Sequence, residues 1–339
     1  MGELLPSPIK DKDLSDNENS TLRYGCCGMQ GWRRRMEDAH ITDISQGENG
    51  RFQIFGVFDG HGGKEVSTFA KNHFTKTFLS NPKIKKDQIK QAIIETYLKM
   101  DDLMRESSGK EELKQIAKKS KIEDEIQNKK YNNNPMNAKI DLAKNILLNK
   151  ENDIALYTGC TACVTIIDNK TKKIFFANAG DSRVVFCKNG TPYRMSIDHK
   201  PELELEKNRI LKANGFINEG RINNNLNLSR GFGDLEYKSN KSLSPQEQII
   251  TAYPDVIEEN RGLNDEYIII GCDGIWDCLK DNTIYELIKK EINKVGVDPM
   301  KVKLSDVLAH IVDDICPKDI YSESGVGSDN MTCVLVQFK

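Results

Sequence analysis

Between Thr161 and Gly190 the chain alternates β-rich runs with very short polar links. The run 161-TACVTIID-168 gives way to NKTKK, then 174-IFFANAG-180, then Asp181 and Ser182, then 183-RVVFCKNG-190. A parallel crossover needs about a dozen residues or more, so links this short predict antiparallel hairpins. This excludes a doubly wound parallel sheet and asks where the helices go.

Helical spacing appears on either side of this β-rich block. Val66, Phe69, Ala70, His73, Phe74, Thr77 and Phe78 follow a 3.6-residue period, as do Ile89, Ile93, Tyr97, Met100 and Met104. Further helices are expected over Glu202–Asn214, closed by Gly215 as a C-cap, and around Asn282–Val295 and Leu304–Ile315. LRYGCCGMQGW, AHITDI, residues 51–58, Tyr267–Ile270 and Met331–Phe338 read as strands. Antiparallel strands with clustered helices define an α+β class, most simply two stacked sheets with helices outside.

Residues 1–20, MGELLPSPIKDKDLSDNENS, have no apolar signal core and read as a disordered polar tail. Gly2 invites N-myristoylation, but Pro6 stands where the motif asks for Ser or Thr, so the match is imperfect. Residues 106–151 are Lys- and Asn-rich and read as a surface insertion, helical over Ile140–Leu148. The remainder, 21–339, is expected to be one domain. A net charge of −2 gives no field to gather nucleic acid, and no apolar run approaches a membrane span. Nine cysteines without a regular framework point to reduced thiols, hence cytoplasm or nucleus; Cys160 and Cys163 read as core residues rather than a redox pair.

The chemistry-bearing feature is a repeated pattern of an apolar strand meeting an acid beside glycine. It occurs in 52-FQIFGVFDGHGGKEV-66, 176-FANAGDS-182, 267-YIIIGCDGIWD-277 and 325-GVGSDNMTCVLV-336, and Glu37 and Asp38 open a strand in 31-GWRRRMEDAH-40. An ionised carboxylate at a buried strand end loses several kcal/mol of hydration. One such residue can be a turn cap; this many, gathered at one rim, would repel one another unless cations neutralise them. An all-oxygen donor set suits Mg²⁺ or Mn²⁺, whereas zinc asks for more His or Cys.

The strings RYGCCGMQGWRRRMEDAH, FGVFDGHGG, GCTACV, ANAGDSRVV, DHKP, LNLSRGFGD, GCDGIWD and GSDNMTCVLV, in this order, resemble the signature of the metal-dependent PP2C (PPM) serine/threonine protein phosphatases. The resemblance implies a four-layer α-β-β-α sandwich with a binuclear metal centre at one edge. It implies that Asp59 bridges two Mg²⁺ or Mn²⁺ ions, that the Gly60 carbonyl binds one, and that Asp273 and Asp329 bind the other. Glu37 and Asp38 would engage the cluster directly or through water, and Asp181 and Asp277 match a weaker third site. Arg33 matches the arginine that grips the substrate phosphate.

That chemistry is coherent. A water between two divalent ions becomes a hydroxide donor near neutral pH for in-line attack on a phosphoserine or phosphothreonine, with no covalent intermediate. Guanidinium matches phosphate geometry, and His61 is placed to protonate the departing alkoxide. His40, His73, His199 and His310 read as structural. Two departures stand out: Gly327 lies two before Asp329 where relatives carry Ser, and Gly231–Phe232 alter the SRGFGD loop. Phosphoproteins are the expected substrates of a monomer. The rival readings are an inactive phosphatase-fold binding module and another two-metal phosphohydrolase; the filled acidic positions and the scarcity of motif histidines weigh against them.

Overall fold

In the computed structural model, residues 4–131, 153–296, 298–319 and 326–339 are described, with side chains of 127–131 excepted. The expected helix over Ile140–Leu148 lies outside them. The first sheet contains β1 (Leu4–Glu18), β2 (Leu22–Arg33), β9 (Arg183–Lys188), β10 (Thr191–Arg194), β15 (Asp265–Gly271) and β16 (Met331–Phe338), ordered β1-β2-β16-β15-β9-β10. The second contains β3 (Ala39–Gln46), β4 (Phe52–Phe58), β7 (Ala162–Asp168), β8 (Lys173–Ala179) and β14 (Asp255–Asn260), ordered β14-β8-β7-β4-β3. Every neighbouring pair is antiparallel.

Period-two alternation sorts the side chains into two cores. Phe55 and Val57 of β4 face the other sheet with Cys163 and Ile167 of β7. Phe52, Ile54 and Phe58 point the opposite way, with Val164 and Ile166, into a core closed by α1 (Glu65–Leu79) and α2 (Ile89–Arg105). On the far side, α6 (Asp281–Ile292) and α7 (Leu304–Ile315) cover the first sheet. The result is the expected four-layer α-β-β-α sandwich.

Four expectations need correction. Leu4–Glu18 is an edge strand, paired with β2 from Leu4 opposite Arg33 to Glu18 opposite Arg23. An edge strand needs only its backbone to pair, and its side chains remain polar, so composition concealed it. Lys12 pairs with Asp313 at 2.9 Å, and the Ser305 amide donates to Asp16 at 3.0 Å, tying it to α7. Second, the start of the supposed insertion is α3 (Ser107–Tyr131), packed on the second core through buried Leu113 and partly buried Ile116 and Ala117. Its Glu112 meets His73 of α1 at 2.7 Å. These few apolar positions were hidden among lysines.

Third, β7 and β8 form the expected hairpin, but β8 and β9 do not: the Asp181–Ser182 link carries the chain from one sheet to the other. Gly180, at φ 125°, makes that step, and it leaves Asp181 between the sheets at their rim. The helix over 202–214 is α4 (Glu204–Lys212), ended by left-handed Asn214 at φ 67° rather than by Gly215. Among the smaller pieces, β5 (Gly60–His61), β6 (Gly159–Cys160) and β13 (Phe232–Gly233) form a three-stranded ribbon, β11 (Ile217–Asn218) and β12 (Arg221–Ile222) pair as a short hairpin, and α5 (Asp273–Trp276) is a single turn.

Candidate metal centre and active site

Antiparallel register gathers the acids. In the first sheet Gly271, ending β15, lies opposite Arg183, beginning β9, and Cys333 near the start of β16. Asp273, Asp181 and Asp329 therefore leave the sheet at one edge. In the second sheet Phe58, ending β4, faces Ala39, beginning β3, which puts Asp59 beside Glu37 and Asp38. The acids predicted from separate parts of the sequence meet at one rim of the sandwich.

Each is held rigidly. The Asp59 amide donates to Thr161 Oγ1 at 3.0 Å, and the Thr161 amide donates to the Asp59 carbonyl at 2.9 Å. A Cβ on Gly60 would sit 2.3 Å from the Glu37 carbonyl oxygen, so only glycine lets the two acidic loops close. Ser67 Oγ donates to that same carbonyl at 2.5 Å. Asn330 staples the opposite side: its Oδ1 accepts from the Glu37 amide at 2.9 Å, and its Nδ2 donates to the carbonyls of Gln30 at 2.8 Å and Arg35 at 2.9 Å. Gly327, the departure from the family pattern, has φ 77°, and a Cβ there would lie 2.2 Å from the Ile315 carbonyl. The altered turn is thus built for glycine.

Electrostatics makes the rim a candidate cation site. Burial, then repulsion from Asp273, Asp38, Asp329 and Asp181, raises the Asp59 carboxyl well above its ordinary range. Asp273 rises likewise, by burial and by Asp181, Asp329 and Asp277. Asp277 rises less directly: burial and its acidic neighbours lift it against Lys200. Both Asp38 carboxylate oxygens are sealed from solvent without a hydrogen bond of normal geometry. Burial pushes Asp38 up to about 7, restrained by the nearby Thr332 and Cys272 side chains and reinforced by Asp329 and Glu37.

Oxygen atoms of Asp38 and Asp59 and Cys272 Sγ lie within 4.8 Å of one another. The thiol is already engaged, donating to the Asn330 carbonyl at 3.4 Å and accepting from the Thr332 amide at 3.1 Å. Burial also raises its pKa well above the ordinary value, which keeps it protonated. The donors left are carboxylate oxygens, which fit a hard divalent cation.

Arg33 reaches this rim, its Nη2 2.5 Å from Asp329 Oδ2, while its buried Nε has no hydrogen-bond partner. His61 Nε2 lies 2.7 Å from Asp234 Oδ2, and Asp234 is almost fully buried in a left-handed conformation at φ 49°. Burial pulls the His61 imidazole down, but Asp234, with Glu37 and Asp181 behind it, outweighs that and raises its pKa. Lys200 pairs with Asp181 at the expected third site. Asp234, Asn330 and Lys200 were not singled out from sequence. The signal for Asp234 was present, since GFGD repeats the acid-beside-glycine pattern, but it follows no long apolar strand.

His199 and His73 hold the scaffold. His199 Nδ1 accepts from the Gly180 amide at 3.2 Å, and His73 stacks on Phe69 at 4.2 Å between ring centroids. All nine cysteines are free, Cys160 and Cys163 buried in adjacent strands.

A two-sheet sandwich with a carboxylate-lined rim, an arginine and a histidine is the kind of frame on which a metal-dependent phosphohydrolase can be built. The chain matches the model of the protein phosphatase 2C family over residues 22–116 and 106–314, and it belongs to that family, the metal-dependent protein-serine/threonine phosphatases. It is 39% identical, over 100% of its length and 93% of the relative's, to "Probable protein phosphatase 2C 21" of Arabidopsis thaliana. It is 38% identical to "Protein phosphatase 2C 1" of Paramecium tetraurelia, with 100% of both chains covered. Among solved structures, "Crystal structure of a phosphatase from a pathogenic strain Toxoplasma gondii" matches its fold with a TM-score of 0.67 at 21% identity, covering 97% of this chain and 96% of that one. No helix among the described residues is long and apolar enough to cross a membrane.

Proposed function

We propose that the rim holds two Mg²⁺ or Mn²⁺ ions and dephosphorylates phosphoserine and phosphothreonine in protein substrates. The observation that carries this reading is the convergence of Asp38, Asp59, Asp273 and Asp329, whose carboxyls repel one another, with both Asp38 carboxylate oxygens sealed from solvent. Asp59 would bridge the ions, the Gly60 carbonyl would bind one and Asp273 and Asp329 the other, and Glu37 and Asp38 would engage the cluster directly or through water. Asp181 and Asp277 would hold a weaker third ion in competition with Lys200, already on Asp181. Bound there, the ions would supply an acidified water for in-line displacement and would offset the charge of the phosphate dianion.

The chain's own residues do the rest. Arg33 exchanges its pairing with Asp329 for the phosphate oxygens, orienting them with a planar donor. Asp234 holds His61 by Nε2, so the other ring nitrogen is the one left to protonate the departing serine or threonine oxygen. The nine free thiols take no part and fit a cytoplasmic or nuclear setting.

The test is metal removal. Protein stripped with EDTA loses hydrolysis of a phosphoserine peptide and regains it with Mn²⁺ or Mg²⁺. Full activity after verified stripping would overturn the assignment.

A further inference from the structure

The turn that carries Asp234 is gripped from helix α2. Gly233 and Asp234 are both left-handed, at φ 73° and 49°, and a non-glycine residue keeps that conformation only where its surroundings fix it. Asp101 of α2 provides one hold: its Oδ1 accepts from the Gly233 amide at 3.0 Å, and its Oδ2 lies 2.6 Å from Lys238 Nζ. Lys238 reaches back over the turn and donates to the Gly231 carbonyl at 2.6 Å. Both side chains belong to buried residues, each 8% exposed. Between these ties Phe232 packs on Tyr97 of α2, 5.1 Å between ring centroids, and the Asp234 amide donates to the Thr158 carbonyl at 2.9 Å.

A buried ion pair commonly adds little net stability over apolar residues of the same volume, because both charges lose their hydration. An apolar pair could not, however, bind the Gly231 carbonyl and the Gly233 amide immediately ahead of Asp234. The geometry fixed there passes to one contact, Asp234 Oδ2 to His61 Nε2 at 2.7 Å. Among the described residues, neither Asp101 nor Lys238 bonds to Asp38, Asp59, Asp273 or Asp329. A second route crosses the β13-β6-β5 ribbon to Gly60; a disturbance along it would reach the metal ligands and slow every substrate alike.

We propose that Asp101 and Lys238 are positioning residues for proton donation: by fixing the turn over 231–238 they hold Asp234 where it orients the His61 imidazole. The inference rests on the reading of His61 as the acid of the phosphatase reaction. A general acid works within about 2.6–3.2 Å of the atom it protonates, and a misplacement of about 1 Å can cost about 100-fold. Loosening the turn therefore slows substrates whose leaving oxygen needs the proton and largely spares those that leave unaided.

The experiment takes the ratio of kcat/KM on a phosphoserine peptide to kcat/KM on an aryl phosphate, both at saturating Mn²⁺. Lys238→Met keeps most of the side-chain length and removes the ammonium; it lowers the ratio roughly tenfold, part of what a full misplacement costs. Asp101→Asn/Lys238→Met leaves no charge unpaired, retains the fold if the single variant does not, and lowers the ratio likewise. His61→Gln lowers the ratio by itself, and adding Lys238→Met to it changes the ratio no further, because there is no acid left to position. An unchanged ratio in the folded Lys238 variants, with His61→Gln still lowering it, would overturn the proposal and leave the acid reading intact. A further fall in the His61→Gln background would also overturn it, since a merely structural defect acts with or without the imidazole. An unchanged ratio in His61→Gln itself would overturn both.

Discussion

Asp38→Asn separates stability from function at the metal site. In metal-free protein the wild-type carboxyl is pushed up to about 7, first by burial and then by Asp329 and Glu37. A carboxyl with a raised folded-state pKa binds its proton more tightly in the folded chain. Stability therefore falls as pH rises from the unfolded value near 4 to about 7, and is flat above that. A rise from about 4 to about 7 corresponds to on the order of 4 kcal/mol by pH 8, and to less than half of that at pH 5. Asparagine has no charge to bury. With an unfolding entropy of about 0.7 kcal/mol/K for a chain this long, Asp38→Asn should melt about 5 °C above wild type in EDTA at pH 8. The gap should narrow at pH 5. Adding Mn²⁺ should raise the wild-type Tm more than the variant's, because ligand binding stabilises only a competent site. Differential scanning fluorimetry over this pH and metal grid reads all of it. A variant melting at or below wild type in EDTA at pH 8 would refute the account of Asp38 as a repelled, buried charge.

Two further outcomes follow from the same geometry. His61→Gln should slow phosphoserine hydrolysis more than aryl phosphate hydrolysis, since a phenolate leaves without a proton, and Asp234→Asn should show the same asymmetry; equal slowing of both substrates would make the pair purely structural. Leu113→Ala, at a fully buried contact of α3, should cost about 2–5 kcal/mol by denaturant titration, and a loss below 0.5 kcal/mol or so would return the segment to a loose excursion.

Much of the site was legible because its chemistry is local. An acid beside glycine at a strand end is visible in a short window, and Asp59, Asp181, Asp273 and Asp329 were found that way. Convergence was not legible, because it depends on strand order, and β15 lies between β9 and β16 through pairings remote in sequence. The two-residue link at Asp181–Ser182 looked like a hairpin; only the stacking of two sheets shows that it crosses between them. Leu4–Glu18 was missed because edge pairing is a backbone property. Asp234 was missed because its partner, His61, lies 173 positions away. Cys160 and Cys163 were read as core residues from the apolar run around them, and both are free and buried.

The central claim is that Asp59 joins carboxylates from both sheets into one cation site. Titrating metal-free protein with Mn²⁺, and following free Mn²⁺ by electron paramagnetic resonance, counts the bound ions directly. The account predicts two tightly bound ions per chain in the wild type and loss of that binding in a folded Asp59→Asn variant. Undiminished binding in the variant, or no tight binding in the wild type, would contradict it.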